Sequence, residues 1–186
     1  MSASLLPTYV EPSGVYTFAA VCAAVADGTA LFRSRDEQTR YAAHWAVLQR
    51  EWACVGDYIK VRVFGFDAGT DAAGKRVAAT ALSERARLAH TVVLPGDGDE
   101  CVAAAAAAVC VRLVDNDFPY HVETCVRHKL LWSLEPLEPS VVERLLAHFL
   151  GSQPRVWMLN GGDKQSIPAV FHAHVFTVSS PCEQSE

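Results

Sequence analysis

The sequence predicts an α+β fold, an antiparallel sheet with its helices on one side. Two observations carry this. Beyond residue 105 the pattern runs strand, strand, helix, strand, strand, so neighbouring strands come in runs instead of alternating one for one with helices. Ahead of it, residues 33–54 show the spacing of a long amphipathic helix. With 51% hydrophobic and 20% charged residues, the 186-residue chain can build a core and is not a disordered polymer.

Along the chain, the first clear element is the helix over 33–54. Ser34 followed by Glu37 is a capping-box pattern, and Tyr41, Trp45, Leu48 and Trp52 then recur along one face. Gly56 and Asp57 are expected to end it. Tyr58, Lys60, Arg62 and Phe64 alternate with Ile59, Val61 and Val63, which reads as a strand. Residues 66–82 are small and polar, an excursion between elements, and 83–94 read as a short helix before the turn cluster Pro95-Gly96-Asp97-Gly98-Asp99.

The second half is patterned more strongly. Strands are expected at 109–114 and 126–133, joined by the turn Asp115-Asn116-Asp117-Phe118-Pro119-Tyr120. Pro139 opens a helix at a position where its missing N–H costs nothing, Val142, Leu145, Leu146 and Phe149 share its face, and Gly151 caps it. Strands follow at 155–159 and 170–178, separated by the turn Asn160-Gly161-Gly162-Asp163. Leu131, Trp132, Leu145, Leu146, Phe149 and Trp157 are expected to form one cluster between this helix and the sheet. The organisation expected is a single α+β domain over 1–178, helical over about 1–95 with a sheet-bearing core over about 105–178, and a disordered polar tail at 179–186.

Composition excludes some functions. Sixteen Lys and Arg against 21 Asp and Glu leave a net charge of −5, with no basic stripe for duplex nucleic acid. The longest apolar run, 101–111, is too short to span a bilayer and is largely alanine. Residues 1–12 lack the basic start of a secretory signal. The six cysteines contain no C-x-x-C pair and are expected as reduced thiols in a cytoplasmic protein.

The chemistry-bearing residues are histidines. His172 and His174 are two apart on the last expected strand and therefore share a face with Val170 and Phe176. Paired antiparallel strands can bring His128 to the same face. The glycine turn after Asn160, with Gln165 and Ser166, can cradle a phosphate or carboxylate through N–H and side-chain donors, and it is equally an ordinary hairpin turn. Asp117 is a turn cap or a contact for a substrate hydroxyl. His44, His90 and His148 carry no supporting pattern and are expected as solvent or core residues.

These motifs carry two resemblances. Asn116-Asp117-Phe118-Pro119-Tyr120, His128 with Leu131-Trp132-Ser133, Gln165-Ser166-Ile167-Pro168 and His172-Ala173-His174-Val175-Phe176 together resemble a eukaryotic family of unknown function typified by an N-acetylglucosamine-induced protein of yeasts. More distantly, the second half resembles the histidine-triad (HIT-like) superfamily of nucleotide hydrolases and transferases. Asn160, Gln165-Ser166-Ile167 and His172-x-His174 stand in that superfamily's order, and His128 stands where it has a hairpin histidine. The resemblance implies that one histidine attacks a phosphate to form a covalent nucleotidyl intermediate while Gln and Ser donors hold its oxygens. Only two alternating histidines are present. In one register His174 is the nucleophile and Phe176 fills the third place; in the other His172 is the nucleophile and Val170 fills the first.

Three functional readings follow. The first is a phosphoryl or nucleotidyl hydrolase or transferase using His174, His172 and His128, with Asn160, Gln165 and Ser166 holding a nucleotide or sugar phosphate. The second is a non-catalytic module binding the same ligands. The third is a metal-binding protein using His172, His174 and His128, because neutral imidazoles on one face suit zinc.

Overall fold

The structure, a computed structural model, describes residues 9–94, 107–160, 167 and 170–178. In chain order these form α1 (Phe18–Asp27), α2 (Arg35–Glu51), α3 (Val55–Phe64), β1 (Ala68–Thr70), β2 (Arg76–Ala78), α4 (Glu84–His90), β3 (Thr91–Leu94), β4 (Ala107–Asp115), β5 (Val126–Ser133), α5 (Pro139–Leu150), β6 (Arg155–Met158) and β7 (Phe171–Val178). The fold is α+β. Strands β1 and β2 make a small antiparallel ribbon, and the other five make an antiparallel sheet in the order β3-β4-β5-β7-β6.

Helix α2 begins as its sequence requires. Ser34 stays extended and its hydroxyl accepts the Glu37 N–H at 3.3 Å, satisfying one of the orphan donors of the first turn. Trp45 and Leu48 are its buried residues.

The expected strand at 58–64 is instead the helix α3. Cys54 serves as N-cap, its sulfur accepting the Asp57 N–H, and Gly65 closes the other end at φ 74°. Gly56 and Asp57, expected as the end of the preceding helix, lie in the first turn of α3. Val55, Tyr58, Ile59 and Arg62 line one cavity, at the i, i+3, i+4, i+7 spacing of a helical face. The three apolar residues 59, 61 and 63 fit a period of two as well, and the caps decide between the periods. The expected helix at 83–94 is divided: α4 stops at His90, and the β-branched Thr91-Val92-Val93 continue as β3 against β4.

The sheet has two covered faces, which corrects the expectation of helices on one side. Leu131, Ala173 and Val175 point to α5 and its Val142, Leu145 and Leu146. Phe176 and Val126 point the other way, with Val21 and Ala24 of α1, and Trp132 and Val170 pack there with Ile59 and Phe64 of α3. Strand alternation therefore separates Trp132 from Leu131, and the single expected cluster becomes two. Phe149, expected in the core, is 36% exposed at the end of α5. Trp157 does pack against the α5 cluster.

Cys22, Cys54 and Cys110 are free thiols, but Cys125 is disulfide-bonded, which corrects the reading of all six as reduced. The expected turns at 95–99 and 161–163, Gln165, Ser166 and the expected tail lie outside the described residues. No helix among the described residues is long and apolar enough to cross a membrane.

Leu146 is fully buried at the centre of the α5 cluster. Leu146→Ala is expected to cost about 2–5 kcal/mol in two-state chemical unfolding, from lost burial and the cavity left behind. Phe149→Ala is expected to cost clearly less, because much of that ring is already in water.

Candidate functional site

Antiparallel pairing of β5 with β7 sets His172 opposite Trp132, His174 opposite Leu130 and Phe176 opposite His128. His128 and His174 are thus diagonal neighbours on one face, within reach of each other's rings. His128 Nε2 lies 2.9 Å from His174 Nδ1, and all three histidines are only 5% exposed.

One backbone bond orders the protons of this cluster. The Tyr120 N–H donates to His128 Nδ1 at 3.0 Å. A ring nitrogen that accepts carries no hydrogen, so neutral His128 holds its proton on Nε2 and donates it to His174 Nδ1. The His174 proton then sits on Nε2. Asn160 Nδ2 is placed 2.9 Å from that nitrogen. A half-turn of the amide exchanges its two ends, and the proton order requires the oxygen end here.

His172 lies outside this chain. Its Nδ1 is 3.3 Å from the Val170 carbonyl oxygen, so Nδ1 is the donor and Nε2 keeps its lone pair. Trp132 packs on its ring at 4.8 Å. Tyr120 stacks on His174 at 5.4 Å and lies 4.7 Å from His128, and Phe176 stacks on His128 at 4.4 Å.

Burial keeps these imidazoles neutral. The His174 pKa is pushed down to about 3 by burial first, then by His172 and Arg33. His128 is held well below its ordinary value by burial, His174 and Arg33. Burial also lowers His172, against the opposing pull of the Val170 carbonyl. For Tyr120, burial raises the phenol pKa while a hydrogen bond with Asn160 lowers it.

His172 and His174 form part of the wall of a cavity of about 530 Å3 between the sheet and the α1–α2–α3 layer. That volume suits a small organic molecule. Aromatic side chains dominate the wall: Tyr41, Trp45, Tyr58, Phe118, Tyr120 and Trp132. Arg33, from the α1–α2 connection, and Asn116 and Asn160 supply polar groups.

Residues 18–148 match a family described as "Protein of unknown function (DUF3605)". The chain belongs to this family. No curated protein matches the chain. A solved structure described as "Crystal Structure of HTC1" is similar over 89% of this DUF3605 chain and 86% of its own, at 19% identity and a TM-score of 0.55, a likeness of fold.

Of the residues read from the sequence, the structure brings together His128, His172, His174 and Asn160. Gln165 and Ser166 lie outside the described residues. His44 is a cavity residue after all, its ring 5.0 Å from Phe118 and 5.6 Å from Tyr58. Asn116, not Asp117, closes the turn by accepting the Phe118 N–H at 3.0 Å, and its Nδ2 lies 3.3 Å from His128 Nε2. Arg33, Tyr41 and Trp45 went unnoticed as site residues, because their spacing marks only the start and inner face of a helix. Among the described residues no three His, Cys, Asp or Glu side chains form a group that can hold a metal ion. The lone pairs of His128 and of His174 Nδ1 are turned to hydrogen bonds instead.

Two measurements test this proton order. All three histidines are less basic folded than unfolded, so between about pH 6.5 and the folded values the unfolded chain binds more protons. Stability is therefore fully present above about pH 6.5 and is lost as pH falls, with a slope approaching about 1.4 kcal/mol per pH unit for each such histidine. Urea unfolding between pH 6.5 and 5 should show this loss; a flat profile there is incompatible with buried neutral imidazoles. Nitrogen-detected NMR at pH 7 should find hydrogen on Nε2 of His128 and His174 and on Nδ1 of His172.

Proposed function

We propose that this DUF3605 chain binds a phosphate ester, a nucleotide or sugar phosphate, in the cavity on the histidine face, and that His172 is the side chain that reacts with it. The observation that carries the reading is the contrast within the cluster. His128 and His174 are engaged through their ring nitrogens, while His172 presents an unprotonated Nε2 and lines the cavity. This favours the register in which His172 is the nucleophile and Val170 fills the first place of the pattern.

The step is simple in outline. The Nε2 lone pair attacks phosphorus, the P–O bond to the leaving alcohol breaks, and that oxygen takes a proton from water. The Nδ1–H, donating to the Val170 carbonyl, stabilises the positive ring that forms. Water then cleaves the P–N bond and releases phosphate. His174, its two ring nitrogens held by His128 and Asn160, is a neutral, fixed part of the wall. The distant HIT-like resemblance of residues 105–178 supports the same reaction class. The resemblance to the N-acetylglucosamine-induced family adds a sugar phosphate to the ligands worth testing.

A second reading rests on its own observation. No group in the cluster is an acid at neutral pH, since burial lowers the pKa of all three imidazoles, so none protonates a leaving oxygen directly. This supports a non-catalytic module that binds the same ligands.

Thermal-shift measurements against nucleotides and sugar phosphates, followed by phosphate-release assays, separate the readings, because a ligand that binds only the folded state raises its apparent stability. For the enzyme, His172→Ala abolishes turnover and keeps most of the ligand-induced stabilisation, whereas His174→Ala lowers stability by breaking the proton chain. For the module, stabilisation occurs and the parent protein shows no turnover. If no phosphate ester raises the melting temperature at millimolar concentration, both readings fall.

A further inference from the structure

We infer that Arg33 is the anion anchor of this cavity, gripping the ligand's phosphate with the two Nη groups of its guanidinium. The inference rests on the reading of the cavity as a phosphate-ester site and adds the residue that would select for it. Arg33 leads into α2 from the α1–α2 connection, and its position is fixed twice over. Its Nε donates to the Phe118 carbonyl at 2.9 Å, across 85 residues of sequence. Its guanidinium carbon lies 4.0 Å over the Tyr41 ring and 5.4 Å from the Tyr120 ring. The Nε–H is thereby spent on protein, and the planar head is clamped between aromatic faces with its Nη groups left over.

Those Nη groups have no partner carboxylate among the described residues, and Arg33 is half-buried in the cavity wall. The other charged side chains of that wall, Arg62, Asp115 and Asp117, are exposed, and Asp115 pairs with Lys129 at 2.6 Å. A guanidinium taken partly out of water without a counter-ion is costly unless something supplies the charge. Its neighbours cannot: the imidazoles stay neutral, and Arg33 itself helps to lower His128 and His174. The missing partner is therefore an anion brought by the ligand. A phosphate matches the fork geometry of the guanidinium, and the rings of Tyr41, His44 and Phe118 beside it suit the planar part of the same molecule. A nucleoside monophosphate has both parts.

The experiment is titration calorimetry with AMP, adenosine, inorganic phosphate and glucose 6-phosphate, on the parent chain, Arg33→Lys and Arg33→Gln, with melting temperatures measured to verify folding. The expected result is AMP binding that weakens at least tenfold in Arg33→Gln and less in Arg33→Lys, with adenosine affinity changed less than twofold. AMP affinity within twofold of the parent in a folded Arg33→Gln overturns the anchor and leaves the phosphate-ester reading standing. AMP binding that needs Arg33 without turnover in the parent supports the anchor and removes the catalytic reading alone. No binding of any phosphate-bearing probe to the parent overturns both. Should Arg33→Gln fail to fold, Arg33→Lys decides: it keeps the charge and loses the fork, and unchanged AMP affinity overturns the fork-based grip.

Discussion

The register between β5 and β7 is the constraint on which the rest of the molecule depends. Eight residue pairs align the strands from Val126 with Val178 to Ser133 with Phe171. Because side chains alternate, a slip of one residue would carry each strand's whole set to the opposite face. The true register sends Leu131, Ala173 and Val175 to α5, and His128, His172, His174 and Trp132 to the face roofed by α1 and α3. Core and site are two sides of one ladder. The apolar side has no other way to be buried, so the packing of α5 indirectly holds the imidazoles in place.

Burial of polar rings on such a face is tolerable only if their hydrogen bonds are made. Here the turn after β4 supplies what the strands cannot. The Tyr120 N–H that bonds His128 comes from residues 116–120, stiffened by the bond from Phe118 N–H to Asn116 and by the Arg33 bond to the Phe118 carbonyl. The string Asn-Asp-Phe-Pro-Tyr is thus a bracket around His128, and its dense turn-forming character serves the histidines and not just the reversal of the chain.

How much of this the sequence discloses depends on what each residue encodes locally. The β5 boundaries, Pro139 at the start of α5 and the shared face of His172 and His174 follow from period and caps alone. The helix α3 does not, because three alternating apolar residues satisfy two periods, and the deciding N-cap is a cysteine, a residue type seldom read as a cap. The two-sided covering of the sheet is hidden for a similar reason: strand alternation puts apolar residues on both faces of β7 but does not show which helix covers which. Within the site, the histidines are visible because their residue type is rare and chemically pointed. Arg33 is not, since an arginine beside a helix cap looks like any solvated charge until a bond to a residue 85 positions away gives it a place.

That span has a consequence for when the site comes into being. The cavity draws Arg33 and Tyr41 from the first quarter of the chain, Phe118 and Trp132 from its middle, and His172 and His174 from its last strand. On the ribosome, with synthesis proceeding from the N-terminus, no earlier stage has more than part of the wall. Contacts of such long sequence separation also tend to slow folding. A ligand of this cavity therefore cannot act as a template for the early steps; it can reward only the finished sheet, by slowing the departure of β7 once that strand is in place.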